Sequence, residues 1–156
     1  MDGLKRINRR DAVGVLAAFA LMAGRLGEAQ EAAAGSSEKA PVLSKLYKFD
    51  EMKVTPRPNG GWMRPVFAGR LPTGEYVELH ETQLGPGEMP HAAHNHAFTE
   101  LFLIRQGQVE FINDGKLEMA GPGDVIYAAS MVMHGIKNVG TVPASYFVMA
   151  VGDGAV

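Results

Sequence analysis

Three of the five histidines in this 156-residue chain lie within six residues of one another, at His91, His94 and His96. A carboxylate, Glu100, follows four residues after His96. On an extended strand His94 and His96 project from the same face because one residue separates them, and Glu100 has the same parity. Neutral imidazole nitrogens and an ionised carboxylate are ligands that divalent first-row transition metals bind. The spacing therefore predicts a compact site with two nitrogen ligands and one oxygen ligand.

Short apolar or alternating stretches, divided by Gly/Pro-rich turns, surround this segment. The predicted strands cover residues 62–68, 76–84, 101–104, 109–112, 125–127 and 145–151. Between two of them, Asn113-Asp114-Gly115 is a strong hairpin signal, because these residue types tolerate positive φ. Short strands at spacings of about ten residues are typical of an all-β sandwich or barrel. We predict that fold class, with no helix after the N-terminal segment and an arm or edge strand at residues 42–49.

Three of these strands carry more specific expectations. The stretches 101–104 and 125–127 are continuously apolar, and both are expected to be buried rather than two-sided. In the stretch 76–84, Val77 and Leu79 share a face with Glu81 and Gln83. That mixed face is expected either to line the mouth of a wet cavity or to run out into solvent.

The histidine segment resembles the first conserved motif of the cupins. The pattern His-x-His, three residues, Glu, six residues and Gly107 is present, and Pro86-Gly87 and Pro90 precede it. Six residues separate the leading glycine, Gly87, from His94, one more than is usual in the family, so the entry loop is one residue longer and contains His91. This is the more specific of the two motifs.

A looser second stretch resembles the second cupin motif. It contains Gly115, a turn at residues 122–124, His134, and Asn138 four residues later. Where most members have Pro and Gly before the histidine, this chain has Ala129 and Met131. The departure affects the turn and the pocket wall but leaves the type of ligand unchanged.

The resemblance covers roughly residues 60–151 and implies a jelly-roll β-barrel, also called a double-stranded β-helix. Carried over by position, it implies one divalent transition metal (Fe, Mn, Zn, Ni or Cu) with the ligands His94, His96, Glu100 and His134. It also favours a homodimer. Thr99, Gln83 and Asn138 are candidates for hydrogen bonds to the ligand imidazoles, although Asn138 is equally well placed by sequence to cap a turn.

Several residues near the ligands in sequence are candidates to line a pocket or to transfer protons, although core packing is the commoner role of apolar residues beside such a motif. The pocket candidates are Phe98, Phe102, Phe111, Tyr127, Met131 and Met133. The weak candidates for proton transfer are Tyr127, His91 and Glu88, and no catalytic residue is assigned. His91 and His80 are expected at a pocket edge or on the surface rather than among the ligands.

The N-terminal segment differs from the rest of the chain. A basic head ending in Arg9-Arg10 precedes an alanine-rich apolar run at residues 12–24, and small residues follow at 32–35. This order is that of a secretory signal, and the paired arginines resemble a bacterial twin-arginine signal. We predict an export signal at 1–34, a linker and arm at 35–59, a barrel at 60–151, and a periplasmic or extracellular location. There are two alternatives. One is a membrane anchor, although the run is shorter than the roughly twenty apolar residues that a span requires. The other is an amphipathic or disordered cytoplasmic arm.

Composition limits the classes of function. Lys and Arg number 15 against 17 Asp and Glu, and no basic stripe indicates a nucleic-acid partner. The chain has no cysteine, so disulfides cannot stabilise it. Two functions remain open. One is an enzyme whose metal acts as a Lewis acid or dioxygen-binding centre on a small organic molecule, as in a dioxygenase or an isomerase. The other is a non-catalytic module that binds a sugar or a chelating acid through the metal.

Overall fold

The computed structural model describes residues 41–58 and 61–152. Nine strands and one short 3-10 helix, Phe49–Glu51, are present in these ranges. The strands are β1 (Thr55–Pro56), β2 (Trp62–Arg70), β3 (Tyr76–Leu84), β4 (Thr99–Gln106), β5 (Val109–Asn113), β6 (Lys116–Ala120), β7 (Val125–Ala128), β8 (His134–Asn138) and β9 (Ala144–Gly152). The export signal predicted at residues 1–34 and the first part of the linker lie outside the described residues.

The strands form two antiparallel sheets, one in the order β1-β2-β3-β9-β4-β7 and one in the order β6-β5-β8. Side chains from both sheets contribute to one apolar core, including Leu84 and Tyr146 from the larger sheet and Val109 and Ile136 from the smaller. Two sheets packed over a common core form the predicted jelly-roll barrel, and the all-β fold class is confirmed. In the described ranges, no helix is long and apolar enough to cross a membrane.

The predicted strands at residues 76–84 and 145–151 correspond to β3 and β9, and the remaining strand predictions also match, with shifted ends. In the hairpin between β5 and β6, Asp114 has a φ of 48° and Gly115 a φ of 82°, as a type I′ turn requires. Residues 42–48 form an arm rather than a strand, and the Tyr47 ring packs 5.5 Å from that of Phe67. The sheet begins at β1, within the segment that the sequence assigns to the arm.

The expectation that residues 101–104 and 125–127 would be buried on both sides is wrong. In β4, Phe102 and Ile104 face the core, whereas Leu103 is 43% exposed. In β7, Ile126 is buried while Val125 and Tyr127 are each 61% exposed. Both strands alternate because only one face of their sheet packs on the core. The alternation between buried and exposed positions was not visible in the sequence, because the exposed residues of both strands are also apolar.

Glu81 lies neither at a wet cavity mouth nor in solvent, so both expectations for its face are wrong. Its side chain is 1% exposed, on the outer face of β3. Arg64 of β2 approaches one carboxylate oxygen at 3.3 Å, and Arg105 of β4 binds the other. The Phe49 ring lies 3.6 Å from the Arg64 guanidinium carbon and so helps to cover the pair.

Candidate metal centre

The loop that follows β3 is fixed against the first residue of β8. His94 and His134 exchange two backbone hydrogen bonds, with N to O distances of 2.9 and 2.8 Å. Two residues later, the carbonyl oxygen of His96 accepts a hydrogen bond of 2.8 Å from the backbone N–H of Met131. Glu100 is the second residue of β4 and shares the inner face with Phe102. Three separate segments therefore bring these side chains together.

The four residues that the resemblance implied as ligands converge. Nitrogen atoms of His94, His96 and His134 all lie within 4.8 Å of one another, which positions three histidines to bind a metal ion. Oε2 of Glu100 lies 3.1 Å from Nε2 of His134 and 3.6 Å from Nε2 of His96. The cluster contains the predicted N/N/O set, with His134 as a third nitrogen ligand.

Backbone carbonyl groups orient two of the imidazoles. Nδ1 of His96 lies 3.1 Å from the carbonyl oxygen of Phe98, and Nδ1 of His134 lies 2.8 Å from that of Val132. Since a carbonyl oxygen can only accept, each Nδ1 carries the proton and Nε2 is left as the donor to a cation. Nδ1 of His94 is buried and has no hydrogen-bond partner. The donor atoms are therefore arranged as a metal ligand set requires.

The charges of the cluster have the sign that cation binding needs. Burial, followed by the neighbouring histidines His91, His96 and His134, lowers the pKa of His94 to about 4, so this ring is neutral at pH 7. Burial alone would raise the pKa of Glu100, but its hydrogen bond to His134 and the nearby imidazoles outweigh this and lower the pKa. The carboxylate is therefore ionised and available as a ligand.

His134 shows where a cation would fit. Its hydrogen bond to Glu100 raises its pKa, partly offset by burial and reinforced by the Val132 carbonyl. Both ring nitrogens face oxygen acceptors, so the ring carries two protons, or one proton and a metal cation at Nε2. Three imidazoles and one carboxylate form a donor set that several divalent transition metals accept. The residues present thus fit such a metal.

The aromatic pocket candidates have different environments. The Phe98 ring lies 5.8 Å from that of His96 and 5.9 Å from that of Tyr76, at the rim of the cluster. Phe102 is buried behind the cluster, with its ring 6.4 Å from that of His134. Phe111 is buried in the core between the sheets. Of these three, Phe98 is the one that borders the ligands from outside the core.

Tyr127 does not face the cluster, which corrects its placement as a pocket and proton-transfer candidate. It pairs with Leu101 on the outer face of the sheet, whereas the inner face carries Glu100 and Ala128. The physical reason is the two-residue period of β7. Met131 and Met133 are 63% and 41% exposed.

The other two proton-transfer candidates lie at different distances from the cluster. The His91 ring contacts that of His94 edge-on, with ring centroids 4.3 Å apart. The carbonyl oxygen of Glu88 accepts a hydrogen bond of 2.9 Å from the backbone N–H of Asn138, at the end of β8 opposite to His134. Of the two, His91 lies beside the ligands.

Asn138 holds a turn rather than a ligand imidazole. Its Nδ2 donates to the carbonyl oxygens of Leu84 and Val142, and its Oδ1 accepts from the N–H of Gly140. Backbone carbonyls, not the side chains of Thr99 and Gln83, accept from His96 and His134 in the described part of the chain. The sequence could not have predicted which backbone carbonyls accept these hydrogen bonds, because every residue carries a carbonyl group.

A jelly-roll barrel with a histidine and glutamate cluster between its strands is the architecture of the cupins. The family model described as "Cupin domain" matches residues 80–150, which include all four converging residues. Residues 80–150 thus form a cupin domain, as the resemblance indicated.

Solved structures with similar folds have sequences that differ widely from this one. KdgF from Halomonas sp. is 15% identical, with a TM-score of 0.62 over 72% of this chain and 97% of that chain. A predicted oxalate decarboxylase from Thermotoga maritima is 19% identical, with a TM-score of 0.54 over 69% and 99%. A sugar phosphate isomerase of the cupin superfamily from Silicibacter pomeroyi is 15% identical, with a TM-score of 0.54 over 68% and 74%. These likenesses concern the fold. No functionally curated protein matched the sequence.

Proposed function

We propose that this chain is a metal-binding cupin that acts on a small organic molecule. One divalent transition metal would be held by His94, His96, Glu100 and His134. The observation that carries the proposal is their convergence, with Glu100 Oε2 3.1 Å and 3.6 Å from two imidazole nitrogens. When bound, the metal would supply Lewis-acid polarisation or a dioxygen-binding centre.

The accessibility of the cluster supports a small-molecule site. The side chain of His134 is 2% exposed, whereas those of His96 and Glu100 are 22% and 17% exposed. The ligand set is therefore anchored on its deep side and open on the other. A molecule entering there would meet the metal directly, with the Phe98 ring at the rim.

The test is titration of metal-free protein with Zn²⁺ by calorimetry, followed by a screen of candidate molecules. We expect one site in the native chain and a loss of at least tenfold in affinity in His134→Ala, whereas Glu75→Gln, on an exposed hairpin, should bind normally. The screen should contain small chelating carboxylates and sugar phosphates, because two of the structurally similar proteins are a predicted oxalate decarboxylase and a sugar phosphate isomerase. Binding of a screened molecule with no product would identify a binding module rather than an enzyme. Absence of a zinc site would refute the proposal.

We also propose that the protein is exported. The support is the sequence itself, where the basic head, apolar run and small residues occur in the order of a signal peptide. Cleavage near Ala34 would leave the last 122 residues. N-terminal sequencing of protein from a periplasmic fraction should begin near Gly35, and a chain that still begins at Met1 would refute this.

We further propose that two copies associate through the outer face of β4 and β7. Leu103, Val125 and Tyr127 are 43%, 61% and 61% exposed there, on neighbouring strands. A contiguous apolar face of this kind is more typical of an interface than of a monomer surface. Light scattering should give the dimer mass for the native chain and the monomer mass for Tyr127→Glu. A monomeric native chain would contradict the proposal.

A further inference from the structure

We propose that His80, oriented by Glu78, transfers a proton to or from a small substrate held at the metal cluster. The substrate class is a 2-oxo or 2-hydroxy carbonyl compound, which can chelate a metal and carries an acidic C–H bond. This inference rests on the proposed function and adds to it the proton-transfer group and the type of reaction. Sequence reasoning placed His80 at a pocket edge or on the surface and assigned it no role.

The strand register places this pair on the same inner face as the metal ligands. Glu78 pairs with Ala150 of β9, and Ala150 pairs with Glu100 of β4. One pleat deeper, His80 occupies the corresponding position next to Val148. Two strand spacings separate β3 from β4, about 10 Å between backbones. Because these side chains project into a closed barrel, their ends lie closer than the backbones do.

Both side chains of the pair are partly accessible to solvent. The side chains of Glu78 and His80 are 41% and 18% exposed, although both stand on the face that packs on the core further along the strand. At the deep end of the same face, Leu84 and Tyr146 are 0% and 1% exposed. The side chain between Glu78 and Glu100 is the methyl group of Ala150, which occupies little of the floor. This inner face is therefore buried at its deep end and partly accessible to solvent beside both groups.

The contact between the two residues orients the imidazole. Nδ1 of His80 lies 3.3 Å from Oε1 of Glu78, an ion-pair distance without the alignment of a full hydrogen bond. Nδ1 is the buried nitrogen of this ring. A carboxylate beside Nδ1 favours the tautomer with the proton there, which leaves Nε2 as the base. Among the described residues no hydrogen bond or ion pair involves Nε2, so this nitrogen is free to act as the base.

The reaction balances without an oxidant or a reductant. The C–H bond next to the substrate carbonyl breaks, its proton forms an N–H bond at His80 Nε2, and the electron pair moves to the carbonyl oxygen. Return of the proton from Nε2 to the same carbon gives exchange with solvent. In a 2-hydroxy carbonyl compound, the hydroxyl proton moves to the enolate oxygen and the hydroxyl oxygen becomes the new carbonyl oxygen. Return of the proton from Nε2 to the former carbonyl carbon then gives an isomer. Either outcome needs a base within reach of that C–H bond, and His80 stands on the same inner face as Glu100, two strands away.

The test uses zinc-loaded full-length protein and pyruvate as the probe, with exchange of its methyl protons in D₂O followed by NMR. General-base catalysis contributes about 100-fold or more, so His80→Gln should lose at least that factor. Glu78→Gln should lose a smaller factor, and Glu75→Gln should exchange at the native rate. In His80→Gly, added imidazole should restore part of the rate. Exchange that persists in His80→Gln, or that is absent in the native protein, would overturn the inference.

A second measurement does not depend on turnover. In protein labelled with ¹⁵N-histidine, pyruvate should shift the His80 Nε2 signal, which His80→Gln identifies by its loss. No shift at saturating pyruvate would also overturn the inference. Zinc content is measured for every variant and should equal that of the native chain. If the native chain itself binds no zinc, the proposed function fails, whereas normal zinc with unchanged exchange in His80→Gln refutes the role of His80 alone.

Discussion

The buried carboxylate of Glu81 allows a quantitative prediction about stability. Its two arginine partners differ in environment, since the side chain of Arg64 is 11% exposed and that of Arg105 is 46% exposed. Arg64 also packs on Phe49 and depends on Glu81 as its carboxylate partner. Removing the carboxylate leaves one guanidinium in a largely dry environment, whereas removing Arg105 leaves Glu81 paired.

We therefore expect Glu81→Leu and Arg105→Leu to differ in free energy of unfolding. Breaking a buried pair by removing one partner costs about 3–5 kcal/mol, and losing an exposed partner about 1 kcal/mol or less. With a urea dependence of about 2 kcal/mol per molar for a small protein, Glu81→Leu should lower the unfolding midpoint by about 1.5–2.5 M. Urea unfolding followed by circular dichroism and tryptophan fluorescence measures this shift.

The double variant Arg64→Met with Glu81→Leu is the control. It removes both charges, so it should recover most of the stability that Glu81→Leu loses, because replacing a whole buried ion pair by apolar side chains is often close to neutral. If Glu81→Leu and Arg105→Leu lowered the midpoint equally, or if the double variant were less stable than Glu81→Leu, the reasoning would be refuted.

Three further predictions concern the backbone and the cluster. Met131 has a φ of 63°, which is unfavourable for a residue with a Cβ. Met131→Gly should therefore raise the free energy of unfolding by about 0.5–1 kcal/mol. A decrease in that free energy would contradict this prediction. A Cβ at Gly107 would lie 2.7 Å from the backbone of β9, so Gly107→Ala should lower the free energy of unfolding by about 2–4 kcal/mol. Gly115 has open space around it, so Gly115→Ala should lower it by about 1 kcal/mol. Equal losses of stability in the two variants would refute the steric argument. Because the contact with Glu100 raises the pKa of His134, protons compete with metal up to a higher pH than at an ordinary imidazole. Zn²⁺ affinity should therefore rise with pH above 6.5 and level off only above the folded pKa, and an affinity that is constant between pH 6 and 8 would contradict this.

The strands and the ligand cluster could be predicted because local signals carried them. The hairpin at residues 113–115 needs positive φ at two successive positions, and Asp and Gly supply it. His94, His96 and Glu100 lie close in sequence, so parity alone brought them together. His134 came from the family resemblance, because nothing in its own neighbourhood identifies it as a partner 38 residues away from His96.

What could not be predicted depended on which face of a strand meets the core. In β3, Glu78, His80, Thr82 and Leu84 face inward, but the chain offers apolar residues on the other face as well. Only the positions of Arg64 on the adjacent strand β2 and of Arg105 on β4, two strands away, show why Glu81 can be buried on the outside. The same ambiguity concealed the outward face of β4 and β7, because their outer residues are also apolar.

The most direct test of the central claim is metal analysis of the native chain and His96→Ala, after loading with zinc and removal of excess metal. The residues at the cluster predict about one equivalent of zinc in the native protein and a large loss in His96→Ala, while His80→Gln keeps the native content. No stoichiometric metal in the native protein, or the same content in His96→Ala, would contradict the assignment of His94, His96, Glu100 and His134 as a metal centre.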